Sequence, residues 1–261
     1  MNFSFYQVDS FTNEIFGGNP ACVVPLKKWL SDDILLKIAK ENAVAETAFF
    51  IIELNEVHLR WFTPEIEIDL CGHATLATAH ILISELNYSS NKIIFNTMSG
   101  KLEVTYNDGF YYLDLPSRKP QKTLLPEQIK SALNIQPKEV FKSRDYMLVY
   151  ENQSDIESLV INRYFFNQIN LGYGGVIVTS KGDNVDFVSR FFTPQATILE
   201  DPVTGSSHCT LIPYWSSILL KKHLEAIQLS ERGGRIFCQD LGNRVVVGGQ
   251  ARVFSRGKFN F

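Results

Sequence analysis

Residues 201–208 read Asp-Pro-Val-Thr-Gly-Ser-Ser-His and lead into an apolar run containing Leu211, Ile212, Tyr214 and Trp215. A carboxylate, a glycine turn and hydroxyls ahead of an apolar run predict a helix start where backbone N–H groups and polar side chains meet, a cradle suited to an anion. The chain carries the pattern twice. Arg60-Trp61-Phe62-Thr63-Pro64 is followed by Cys71-Gly72-His73-Ala74-Thr75, and Arg190-Phe191-Phe192-Thr193-Pro194 by Thr204-Gly205-Ser206-Ser207-His208. Two half-sites are expected, one per half of the chain. The repeat predicts Gly72 and Gly205 at two helix starts facing one cleft, related by an approximate two-fold axis.

Outward from these stretches, the pattern predicts strands over residues 3–8 and 21–25, separated by a Gly-Gly-Asn-Pro turn at 17–20. Ser31 is a candidate cap for a helix whose apolar positions are Ile34, Leu35, Ile38 and Ala39, ending near Asn42. Residues 43–52 form an apolar stretch with one carboxylate, Glu46, and read as a strand entering the core. Another strand is expected at 57–62, a helix at 75–86, and strands at 92–97, 100–106 and 110–115. Pro116-Ser117-Arg118-Lys119-Pro120 breaks the pattern and marks the domain boundary. Beyond it the order recurs, with strands at 174–179 and 185–192, a helical run at 207–220 interrupted by Pro213, and strands near 233–237 and 244–247. The expected organisation is a first domain over 1–116, a second over 117–250, and a last segment, 251–261, that returns to the first.

Composition bounds the function. The chain has 261 residues, 45% hydrophobic, enough for one large or two smaller cores. A net charge of −3 with scattered Lys and Arg offers no basic face for nucleic acid or anionic lipid. The four cysteines, Cys22, Cys71, Cys209 and Cys238, lack C-x-x-C spacing and read as reduced thiols. No stretch has the character of a secretion signal or a membrane span, so a cytoplasmic protein is expected.

The chemistry-bearing residues each admit a plain structural reading. Asp201 before Pro202 suits an ordinary helix start, but the second glycine turn in the other half favours function, since a cap needs no distant partner. Glu46 either points outward from an edge strand or is buried, where it becomes the best proton shuttle in the chain. His73 follows Gly72 at a predicted helix start, where the dipole favours a neutral ring. His73 and His80 have no third ligand at familiar spacing, so no metal is expected. Ser206 lacks a nucleophile-elbow context and reads as an N–H and hydroxyl donor. Gly72, Ala74, Gly205 and Ser207 are candidates for backbone or hydroxyl contacts to substrate. Neither dinucleotide nor P-loop glycine patterns occur, and cofactor-free chemistry is expected.

Residues 13–20 (Asn-Glu-Ile-Phe-Gly-Gly-Asn-Pro), 45–49 (Ala-Glu-Thr-Ala-Phe), the Phe-Thr-Pro and Cys-Gly-His-Ala-Thr motifs within 62–75, 201–208, and Gly-Gly-Arg at 233–235 together resemble the PhzF family of phenazine biosynthesis-like isomerases. The resemblance spans nearly the whole chain. It implies the diaminopimelate epimerase-like fold, an α/β (α+β) architecture of two similar halves, each a curved sheet around a central helix, with the active site in the cleft between them. It also implies a homodimer. Carried over by motif, the catalytic glutamate is Glu46 and its partners are His73, Asp201 and Ser206. The reaction characterised in phenazine synthesis isomerises trans-2,3-dihydro-3-hydroxyanthranilate, the glutamate moving a proton between ring carbons without cofactor or metal. Related epimerases use two facing cysteines. Here Cys71 stands at the first place and Thr204 at the second, which disfavours a two-thiol racemase. A one-cysteine epimerase or dehydratase using Cys71, and a non-catalytic binder of small anions, are the alternatives.

Overall fold

The computed structural model describes residues 2–54 and 56–260. The chain divides into two compact units, one of Met1–Leu115 with Val247–Phe261 and one of Pro116–Val246.

In the first unit the chain runs β1 (Asn2–Ser10), β2 (Asn19–Pro25), α1 (Asp32–Asn42), β3 (Glu46–Glu53), β4 (Glu56–Phe62), β5 (Glu67–Ile68), α2 (Gly72–Ser84), β6 (Lys92–Thr97), β7 (Gly100–Asn107) and β8 (Phe110–Pro116). β1 pairs antiparallel with β2, β2 parallel with β3, β3 antiparallel with β4, β4 parallel with β6, and β6–β7–β8 continue antiparallel. The strand Ala251–Asn260 lies antiparallel on the other side of β1. α2 packs against β1, β2 and β3. Its sequence is apolar around most of its circumference, so it has no solvent face to spare. A helix of this composition is stable only inside a wrapping sheet.

The second unit runs β9 (Gln121–Lys122), α3 (Glu127–Ala132), β10 (Glu139–Lys142), β11 (Tyr146–Val149), α4 (Gln153–Glu157), α5 (Arg163–Phe166), β12 (Val176–Lys181), β13 (Phe187–Phe192), β14 (Glu200–Asp201), α6 (His208–Leu219), β15 (His223–Gln228) and β16 (Gly234–Asp240), and the unit boundary at Val246 falls within β17 (Arg244–Gly249). The pairing scheme of the first unit recurs: β10 antiparallel to β11, β11 parallel to β12, β12 antiparallel to β13, β13 parallel to β15, β15 antiparallel to β16. The registers match too. Phe62 lies opposite Thr47 and Phe192 opposite Val176, so counting back one residue places Gly175 where the first unit has Glu46. Each unit locks its sheet with a forked ion pair, Arg60 to Glu67 at 2.7 Å and Arg190 to Glu200 at 2.7–2.8 Å. In each, the guanidinium also lies over a phenylalanine two residues on, 5.1 Å from the Phe62 ring and 4.9 Å from Phe192.

Several local expectations shift. Ser31 is the N-cap of α1, but its side chain makes no capping bond; its carbonyl accepts the N–H groups of Ile34 and Leu35. Residues 43–45 are not strand: Ala43 closes α1 in the left-handed region, so β3 begins at Glu46. Asp201 is not a helix cap. It lies in β14 opposite Phe191. Pro213 sits inside α6. Its missing N–H frees the carbonyl of Cys209 one turn earlier, and the Arg118 N–H fills that vacancy at 2.8 Å.

One glycine is decisive for the first unit. Gly18 has φ +63°, and a Cβ there would lie 2.1 Å from the Ser10 carbonyl oxygen. Gly18→Ala therefore combines left-handed strain with a backbone clash, and should lower unfolding free energy by roughly 2–3 kcal/mol. A urea titration checks this; an unchanged midpoint contradicts it.

Candidate active site

Glu46 opens β3, and its neighbour on the parallel strand is Ala21, two residues after Asn19. His73 is the second residue of α2, whose N-cap is Cys71 in extended backbone. These elements bring together side chains far apart in sequence. Glu46 Oε2 lies 3.0 Å from His73 Nε2. On the far side of the ring, Asn19 Nδ2 lies 3.2 Å and Cys71 Sγ 3.5 Å from Nδ1. The Ser10 hydroxyl donates to the His73 carbonyl at 2.8 Å, fixing the backbone that carries the ring.

His73 is buried and the Glu46 side chain is 17% exposed. Glu46 Oε2 itself is buried and makes no aligned hydrogen bond among the described residues, so its contact with His73 is chiefly one of charge. Burial pulls the His73 pKa down, but Cys71 and Glu46 outweigh it and hold the imidazole well above its ordinary 6.5. In the charged ring both nitrogens carry protons, and the Nε2 side faces the Glu46 carboxylate. A cationic ring nitrogen and a carboxylate oxygen thus stand 3.0 Å apart.

This pairing has a pH signature. A pKa raised on folding means the folded state binds the proton more tightly, so the associated stability is complete below the unfolded value of 6.5 and disappears as pH rises through the folded value. The stability difference between wild type and His73→Gln should be largest near pH 6 and shrink toward pH 9 in urea titrations. A difference that grows with pH contradicts the assignment.

Cys71 has little of the character of a nucleophile. Burial pushes its thiol up to about 11, Glu46 adding to the rise and His73 offsetting part of it. The donor atoms of Glu46, Cys71 and His73 all lie within 4.8 Å of one another, a set with the reach to hold a metal ion. A metal there would first have to displace the thiol proton.

The second half-site has a different cast. The Thr204 hydroxyl donates to Asp201 at 2.5 Å, and Gln228 binds both the Thr204 N–H at 2.9 Å and the Asp201 carbonyl at 2.7 Å. Thr204 is therefore bound to Asp201 and holds the turn that Gly205 and Ser206 continue. Ser206 is buried, and its Oγ accepts from Arg144 at 3.0 Å. Ser207 gives its hydroxyl to the Thr204 carbonyl at 2.7 Å. His208 donates from Nδ1 to the same carbonyl at 2.9 Å, and burial lowers its pKa to about 4, so it is a neutral capping ring. Gly72 and Ala74 lie in the buried first turn of α2, and Gly205 begins the short turn of helix leading into α6. His80 pairs with the Tyr111 hydroxyl at 2.9 Å, away from the Glu46 cluster.

Sequence reasoning passed over Asn19 as a site residue, although it stands in the quoted 13–20 motif. The glycine turn before it was the available signal. The register also explains why only one unit carries the glutamate. At Gly175 a Cβ would lie 2.4 Å from the Phe191 ring and 2.8 Å from the Phe192 carbonyl oxygen, leaving no room for any side chain.

Comparison with known proteins identifies the family. Residues 8–257 match the family model described as phenazine biosynthesis-like protein, PhzC-PhzF. An uncharacterised isomerase of Pseudomonas aeruginosa is 42% identical over 257 residues, covering 98% of each chain. A crystal structure of a PhzF-family phenazine biosynthesis protein from Enterococcus faecalis superposes with a TM-score of 0.95 at 42% identity over 100% of both chains. A hydroxyproline epimerase from Agrobacterium vitis shares the fold at 8% identity, with a TM-score of 0.62 over 98% of this chain and 92% of that one. The fold is diaminopimelate epimerase-like, and no helix among the described residues is long and apolar enough to cross a membrane. With the whole chain matched in both sequence and fold, the chain belongs to the PhzF family and is an isomerase.

Proposed function

We propose that the protein moves a proton between carbons of a small carboxylate-bearing metabolite, with Glu46 as the proton-transfer group and His73 as its partner, by general acid/base chemistry without a cofactor. The observation that carries this reading is the 3.0 Å approach of His73 Nε2 to a buried Glu46 oxygen that has no aligned hydrogen-bond partner among the described residues. As carboxylate, Glu46 removes a proton from one carbon; the double bond shifts, and Glu46 returns the proton to another carbon. Atoms and electrons balance with nothing else consumed. His73, holding its proton on Nε2, stabilises the carboxylate before abstraction. Asp201 and Ser206 are assigned to substrate handling, Ser206 as a hydroxyl donor and Asp201 as an acceptor.

The thiol reading is supported by the 3.5 Å contact between Cys71 and His73, and opposed by a thiol pKa pushed to about 11. Both this and a metal-dependent reading are separable by one assay. Chelator-dialysed protein is incubated with trans-2,3-dihydro-3-hydroxyanthranilate and related dihydroaromatic carboxylates, and isomer formation is followed by NMR. Cys71→Ser should retain activity within about tenfold of wild type, whereas a thiol nucleophile or base would lose far more. Activity abolished by chelation and restored by a divalent metal would overturn the cofactor-free reading.

A further inference from the structure

Arg144 occupies the turn between β10 and β11 and has no counterpart among the motifs read from sequence. The turn is tightly held. Asp145 is fully buried and accepts the Gly175 N–H at 2.9 Å. The Ser143 N–H donates to the Asp145 carbonyl at 3.1 Å, and the Ser143 hydroxyl meets that of Thr210 on α6 at 2.8 Å. Asp145 in turn fixes the Arg144 guanidinium, with Nε at 3.2 and 3.3 Å from its two oxygens and Nη2 at 3.2 Å. Nη2 also donates to Ser206 Oγ at 3.0 Å.

The bond to Ser206 has a directional consequence. A hydroxyl that accepts from a guanidinium has its own proton turned elsewhere, so Ser206 is committed to donating outward. Among the described residues Arg144 Nη1 has no partner, and the side chain is 25% exposed. The site thus presents an oriented O–H donor beside two free N–H donors on a cation. A second arginine reinforces the charge. Arg118 is anchored to the first turn of α6 through its N–H bond to the Cys209 carbonyl, and its Nη1 is buried without a hydrogen-bond partner. Burial raises the Cys209 thiol, while the charges of Arg118 and Arg144 pull it down and that of Asp145 adds to the rise. Two guanidinium groups therefore bear on Cys209 in the first turn of α6.

The duplication puts this grip at the same corner of both units. By the registers that align Phe62 with Phe192, residues 19–20 correspond to 143–144. In the first unit Asn19 holds His73, the residue after Gly72; in the second Arg144 holds Ser206, the residue after Gly205. A neutral amide suits a proton-transfer ring, and a fixed cation suits an anion.

We propose that Arg144 is a specificity-determining residue that recognises the carboxylate of the substrate together with the Ser206 hydroxyl. This rests on the carboxylate-metabolite reading given above, and binding separates the two. Wild type, Arg144→Lys and Arg144→Gln are titrated with anthranilate and with its neutral amide, 2-aminobenzamide, by calorimetry. Wild type should prefer anthranilate, Arg144→Gln should weaken anthranilate roughly tenfold or more while leaving the amide unchanged, and Arg144→Lys should retain part of the preference. Because Arg144→Gln leaves Asp145 buried without its partner, the double variant Arg144→Gln/Asp145→Asn provides a charge-balanced fold in which the same selective loss is expected. Equal losses for both ligands, no loss for anthranilate, or a wild type without preference for it would overturn the proposal. Selective, Arg144-dependent binding of anthranilate in a protein that isomerises none of the carboxylates tried would sustain it while defeating the isomerisation reading.

Discussion

Glu46→Gln should reduce turnover by roughly 10²-fold or more while substrate affinity stays within a few-fold of wild type. The amide keeps the size of the carboxylate and still reaches toward His73 Nε2, 3.0 Å away in the native side chain, but it neither accepts nor returns a proton. Because the group is needed in the transition state and contributes little to ground-state binding, kcat should fall with KM nearly unchanged. No other described carboxylate joins the cluster of Glu46, Cys71 and His73. Steady-state kinetics on the isomerisation, with affinity from calorimetry, give the split. A variant that keeps more than about a tenth of wild-type kcat would remove Glu46 from the proton path.

The largest stability loss is expected at Arg190→Gln, at about 3 kcal/mol. Arg190 makes a forked pair with Glu200 at 2.7 and 2.8 Å, and its Nη1 donates to the carbonyls of Ile156 and Leu159 at 3.0 and 2.9 Å. The side chains of the pair are only 15% and 23% exposed, so removing the cation leaves a largely desolvated carboxylate and two carbonyls to be satisfied at once. Arg60 is the matched control. It pairs with Glu67 in the same fork, but its further partner Asp32 is 78% exposed and contributes little. Arg60→Gln should therefore cost less, about 1–2 kcal/mol. Chemical denaturation of the two variants side by side gives the ranking; equal losses, or an Arg190→Gln loss below about 1 kcal/mol, contradict it.

The elements around the site were legible because their sequence periods are plain. β6, β7 and β8 alternate in burial and were read to within a residue or two, and the apolar run after Gly72 could only be a buried helix. The repeated Arg-x-Phe-Thr-Pro and glycine-turn motifs carried the duplication, since local motifs survive where the rest of the sequence has diverged. What was not legible depends on cross-strand geometry. The start of β3 was misplaced because Ala43, Val44 and Ala45 look as apolar as the strand, and nothing in their types announces the left-handed turn at Ala43. Asn19 and Arg144 escaped notice for a related reason. Each acts on a residue more than fifty positions away, and only the strand register brings them to it. Gly175 falls in the strand expected over 174–179, and the register sets it in the place of Glu46.

The proton path is tested most directly by the isotope it carries. Wild type, Glu46→Gln and Cys71→Ser are incubated in D2O with a carboxylate substrate, and deuterium at each carbon is read by NMR as conversion proceeds. A path through Glu46 predicts deuterium entering at the reprotonated carbon with wild type and with Cys71→Ser, and at most roughly a hundredth of that rate with Glu46→Gln. Full exchange by Glu46→Gln, with none by Cys71→Ser, would contradict the account and assign the reaction to the thiol.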